Sequence, residues 1–160
     1  MGGVYNKFKD DGIVLDKKRQ VNFVALDMNS TIFKDTYLNG EWVWAYADVP
    51  GTYIQQFGDR QQGGFLDIVQ PIKKGKMLGW SESVLNLALR IEYADYNVGN
   101  FQELGLKIAD HMYAIVPAIS FRPSSQTVIR ANYRYERHTD LLRNPASQTA
   151  GFQFGFSTYF

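Results

Sequence analysis

The 160-residue chain has no cysteine, which excludes disulfides and thiolate metal sites. Nowhere does it hold the roughly 20 consecutive apolar residues that a membrane-spanning helix needs. Its opening stretch, MGGVYNKFKDDG, lacks the apolar core of an export signal. Neither sign of charge dominates: 17 Lys and Arg stand against 16 Asp and Glu, a formal net charge of +1. That balance gives no basic stripe of the kind nucleic acid requires, so no nucleic-acid partner is expected. The length suits a single domain over residues 1–160.

What the chain does have is aromatic residues, 15% of the total with 10 Tyr and 11 Phe, alongside 14 Gly. Mean hydropathy is nonetheless −0.29. A polar chain rich in aromatics and glycine suits strands in which only every second residue meets an apolar medium.

Period-two alternation, which places alternate residues on opposite strand faces, runs through most of the sequence. Near the C-terminus Phe152, Phe154, Phe156 and Phe160 alternate with Gly151, Gln153, Gly155 and Ser157. Upstream, Ile129, Tyr133 and Tyr135 oppose Arg130, Asn132, Arg134 and Glu136. Tyr113, Ile115, Pro117, Ile119 and Phe121 oppose small residues, and Pro117 predicts a bulge or an irregular pair. Leu85, Leu87, Leu89 and Ile91 oppose Asn86, Arg90 and Glu92. Less cleanly, Leu66 and Ile68 oppose Asp67, while Phe65 and Val69 blur the pattern. Leu38, Trp42 and Trp44 oppose Asn39 and Glu41, and Val24, Leu26 and Met28 oppose Asp27 and Asn29. A short further strand is expected near residues 3–9.

These strands reach the roughly 9–11 residues of a tilted membrane-spanning strand. Their predicted connections alternate in length: residues 10–18, 32–35, 50–62, 73–80, 98–107, 122–126 and 139–147. Short turns on one side and longer loops on the other are what a membrane barrel has. Tyr93, Tyr133, Tyr135, Tyr159 and Phe160 fall near strand ends, as an interfacial girdle requires. The expected fold is all-β: an antiparallel, up-and-down transmembrane β-barrel with about eight strands in this chain.

The terminal TAGFQFGFSTYF resembles the closing strand of Gram-negative outer-membrane proteins, which commonly ends in Phe. The run IADHMYAIVPAISFRPSSQTVIRANYRYE is similar to the penultimate hairpin of porin-like barrels, and NGEWVWAYADVP and QQGGFLDIVQPI resemble further strands of that region. The resemblance covers the chain from about Val21 onward and implies the C-terminal portion of a larger porin-like barrel. Two features of that family, the export signal and the N-terminal half, are not in this sequence. A complete eight-stranded barrel is the rival architecture. The resemblance further implies the outer membrane of a Gram-negative bacterium as location. Its implied partners are outer-membrane lipid, small hydrophilic solutes, a second copy of the chain, and the barrel-assembly machinery reading Phe160 as its signal.

With the apolar faces toward lipid, Asp27, Glu41, Asp67, Asn86, Arg90, Glu92, Arg130, Asn132, Arg134 and Glu136 become candidate pore-lining residues. Arginine rows opposite carboxylates would select solutes by a transverse field; the bland alternative is salt-bridged packing in a filled barrel. The expected function is passive diffusion of small hydrophilic solutes, with no cofactor. The alternative is a small filled barrel serving as a membrane anchor or adhesion scaffold through its outer loops. Enzyme readings are weak: no spacing supports pairing Ser120 or Ser147 with His111 or His138. Asp10, Asp11, Gly12 and Asp16 miss the order of a calcium loop and read as a solvated external loop. Gly63-Gly64 reads as a loop-to-strand bend.

Overall fold

A computed structural model of the chain describes residues 2–10, 13–48, 58–101 and 104–159, with side chains described from Gln20 onward. Eight strands follow one another: β1 (Gly2–Asp10), β2 (Ile13–Ile32), β3 (Thr36–Ala47), β4 (Arg60–Met77), β5 (Trp80–Asp95), β6 (His111–Ser124), β7 (Thr127–Thr139) and β8 (Ser147–Thr158). They form one sheet in sequence order, every pairing antiparallel. The fold is all-β and up-and-down, as the alternation predicts.

Closure is not observed. Among the described residues no pairing joins β8 to β1 or β2, so the sheet is open and the expected closed barrel is corrected to that extent. β1 pairs only with Ile13–Val21, and Asn22–Ile32 of β2 pairs with β3 alone. Body and extension therefore differ: β2 to β8 make the body, and the β1–β2 hairpin projects from it.

The first connection departs from expectation too. Residues 13–18 belong to β2 rather than to a long loop, with Lys7 opposite Asp16 and Asp10 opposite Ile13. Asp16, Lys17, Lys18 and Arg19 break the local alternation, but a nine-pair ladder to β1 supplies their backbone partners instead. Asp11 and Gly12 lie outside the described residues.

At one end of the sheet the turns are short. Residues 33–35 place Phe33 and Lys34 at φ of 46° and 68°, and Leu78-Gly79 close β4 to β5 at 51° and 88°. Consecutive positive φ values give the hairpin twist that matches flanking strands. The predicted connection 73–80 shrinks accordingly to 78–79, and 122–126 to 125–126. The other end carries the longer links, residues 48–59, 96–110 and 140–146. There Asn97 acts as a tie: its Nδ2 donates to Asp110 Oδ2 at 2.5 Å, and its Oδ1 accepts from Gly58 N at 2.6 Å.

Pro117 does not make a bulge. Ile115 faces Tyr135 and Ala118 faces Asn132 in unchanged register, so the missing donor only omits ladder positions. The β4–β5 register instead shifts between Pro71 and Lys73 and between Gly75 and Met77. Ser83, fully buried, donates to the Gly75 carbonyl at 2.7 Å across the second irregularity.

Gly63 and Gly64 lie inside β4, not at a bend. A Cβ on Gly64 would collide with the Glu41 carbonyl, so only glycine permits this approach of β3. In the same row, Trp42 and Tyr93 meet over Gly64 with ring centroids 5.9 Å apart and planes 5° from parallel.

Candidate functional site: the polar face of the sheet

Register decides what alternation in separate strands cannot: whether the apolar sides agree. They do. Following the pairs across the sheet, Leu38, Ile68, Leu89, Pro117, Tyr133 and Phe152 share one row. Rows above and below add Leu66, Ile91 and Ile115, then Leu87, Ile119 and Phe154. One face is therefore apolar from β2 to β8. Among the described residues no second layer covers it: Leu26, Ile91, Ile119, Ile129 and Phe154 are 65, 45, 43, 48 and 82% exposed. Among the described residues the buried apolar side chains are Phe101, Ile108 and Ala109 within the 96–110 loop, with Ala114 and Val116 on β6. Contiguous exposed apolar surface marks a protein–protein, membrane or ligand contact.

Aromatics on this face lie at both ends and, on β7 and β8, in the middle. Trp42 and Tyr93 share a row with Tyr113. Tyr133 lies lower on β7, against Phe152 at 5.0 Å. Aliphatic residues fill the middle of β4 and β5, and Phe152, Phe154 and Phe156 line β8. Tyr159 lies just beyond β8, and Phe160 falls outside the described residues.

The opposite face holds the charges. Arg90 on β5 donates from Nε and a terminal nitrogen to both oxygens of Asp67 on β4, each at 2.6 Å, with Phe65 beneath its guanidinium at 4.4 Å. Such a bidentate fork fixes orientation as well as charge. Arg134 on β7 reaches Glu92 on β5 at 2.7 Å and Glu136 on its own strand at 3.0 Å. β5 and β7 are not neighbours; β6 lies between them. The contact forms because β6 presents Ala114, Val116 and Ala118 here, side chains too short to separate the two. Ala114 is wholly covered. Asp67, Arg90, Glu92, Arg134 and Glu136 thus form one ladder across four strands.

Asp67, Asn86, Arg90, Glu92, Arg130, Asn132 and Arg134 line a single cavity of about 660 Å³, together with Ser120 and Gln153. Asn86 donates to Ser120 at 3.2 Å and Asn132 to Gln153 at 2.7 Å. Arg130 lies against Gly155, where a Cβ would stand 2.8 Å from its Nε. Glu136 joins through Arg134, whereas Asp27 and Glu41 sit apart, opposite each other on β2 and β3.

Arg122 and Val69 are among the lining residues that lie beyond the predicted set. Arg122 was assigned to a turn, yet the even-numbered series Ala114, Val116, Ala118, Ser120 continues to it. Phe65 and Val69 share the parity of Asp67 and lie on the polar face, which explains why they blurred the pattern.

The residues weighed for catalysis or metal binding do not assemble. Ser120 bonds to Asn86, and Ser147 to the His138 carbonyl. His138 lies 3.5 Å from Asp110, and His111 neighbours Thr139. Among the described residues no group of three or more metal-ligating side chains comes together. Together the fold and this face define an open, single-layer antiparallel sheet, apolar on one side and ion-paired on the other. No family model, curated protein or solved structure matches the chain.

Proposed function

We propose that this sheet is part of an outer-membrane β-barrel of the porin type, through which small hydrophilic solutes diffuse passively. The observation that carries the reading is the agreement of register: the apolar residues of seven strands share one face, and Asp67, Arg90, Glu92, Arg130, Arg134 and Glu136 share the other. Lipid would cover the first. Water in a lumen would solvate the second, where Arg90 and Arg134 are held in place and Arg122 and Arg130 add positive charge below them. A lipid-facing arginine costs about 2–4 kcal/mol at the bilayer midplane, so the charged face is the one that turns from lipid. A small anchoring barrel is the second reading, supported by the ion-pair ladder spanning four strands.

The test is solute flux. The chain is folded into phospholipid vesicles loaded with a small sugar, and efflux is followed on dilution. Efflux that scales with protein supports the channel. Insertion without efflux transfers the reading to the anchor. A chain that stays monomeric in water without detergent overturns both.

A further inference from the structure

Every residue from Asn22 to Ser30 is exposed, on both faces of β2, as on the outermost strand β8 and unlike the strands between them. β2 therefore has the environment of an edge along Asn22–Ile32, although β1 precedes it. In that stretch alternate backbone N–H and C=O groups point away from β3, and no strand among the described residues receives them. An open edge of this kind is a template for strand addition, and in hydrocarbon its unpaired groups would cost several kcal/mol apiece.

Direction identifies what fits. Six antiparallel pairings separate β2 from β8, so the two run the same way, and a direct join would be parallel in a sheet where every pairing is antiparallel. The missing neighbour must run opposite to β2, in line with β1. Side-chain chemistry narrows it further. Val24, Leu26 and Met28 on the apolar face call for apolar partners. On the polar face Asp27 lies directly opposite Glu41, and neither forms an ion pair among the described residues. Like charges in that position repel unless a cation adjoins them.

We propose that the Asn22–Ile32 edge of β2 receives an eleven-residue β-strand, antiparallel to β2 and collinear with β1, apolar at alternate positions and carrying Lys or Arg opposite Asp27. This deepens the barrel reading, since such a strand continues the amphipathic wall, but its test does not depend on conduction.

The probe is a synthetic eleven-residue peptide of alternating Val and Thr with one Lys placed to face Asp27, added to the full chain in detergent micelles. Because the chain has no cysteine, Met28→Cys supplies a single thiol, and one Cys is moved along the peptide. The expected result is disulfide formation concentrated at one peptide position, in the antiparallel order. Replacing the peptide Lys by Glu should weaken binding about two- to five-fold, the range for an exposed ion pair. Asp27→Asn together with Glu41→Gln should abolish that difference while binding persists. Cross-linking spread over all positions, a parallel order, or preference for a thiol placed at Phe154 on β8 overturns the proposal. So does a Met28→Cys dimer formed without peptide, which would give the edge to a second copy. Register-specific capture in a chain that releases no sugar would sink the channel reading alone.

Discussion

Placing an arginine at successive positions along the apolar side of β5 measures what that side faces. Leu85, Leu87, Leu89, Ile91 and Tyr93 project from one face of the strand. Eight residue steps at about 3.4 Å span roughly 27 Å. At a tilt of about 40° this is some 21 Å of height, close to the ~25 Å apolar band of a membrane barrel. Leu89 falls in the middle. Leu89→Arg should therefore cost about 2–4 kcal/mol, and Tyr93→Arg about 0–1 kcal/mol. The central change corresponds to roughly a 30- to 900-fold shift in the unfolding equilibrium. Loss of the aliphatic contacts is similar for Leu85, Leu87 and Leu89, so differences among those three report depth rather than packing. Urea unfolding in phosphatidylcholine vesicles, read by the emission of the three tryptophans, gives each value from the shift in midpoint. A profile peaked at Leu89 is expected. A flat profile within about 0.5 kcal/mol, the usual range for water-exposed substitutions, would refute a lipid-facing side and with it the barrel.

Further expectations concern single contacts. A double-mutant cycle of Glu92→Gln and Arg134→Gln should show a coupling of about 0.5–1.5 kcal/mol, and Ala114→Leu, which raises a side chain between the two strands, should bring that coupling near zero. Gly64→Val should cost about 1–3 kcal/mol through overpacking against β3 and remove the near-ultraviolet dichroism of the Trp42–Tyr93 stack; an unchanged spectrum would contradict the stacking. In the 140–146 loop, Asp140 accepts from the Asn144 side chain at 2.6 Å and from the backbone N–H groups of Asn144 and Leu142, which hold its pKa below the usual aspartate value. A depressed folded pKa stabilises the loop above the ordinary range near ~3.9 and ceases to do so as pH falls through the folded value. Amide exchange at Asn144 should therefore stay slow through the ordinary aspartate range and quicken only below it, and Asp140→Asn should remove that pH dependence.

Strand identity was legible because a half-exposed strand writes its faces into alternate residues. The series Leu85–Ile91 and Phe152–Phe156 needed no partner to be read. Where charges interrupt the series, as from Asp16 to Arg19, the local signal failed and a long-range ladder decided the structure. Pro117 misled for a related reason: losing one donor need not displace a register that other pairs along β6 and β7 hold. Arg122 was hidden by a turn expectation that began three residues too early.

By itself, then, the amino-acid order determined that the chain is all-β, that most strands have an apolar side and a polar or small-residue side, and which residues sit on each along β5, β7 and β8. Tertiary structure alone decided that these sides agree in register from one strand to the next, because agreement is a property of pairing and not of any one strand. It also decided that Arg134 meets Glu92 across β6, which depends on the small side chains of a strand lying between them. And it showed the sheet open along Asn22–Ile32, since a strand's edge is defined by the neighbour it has or lacks.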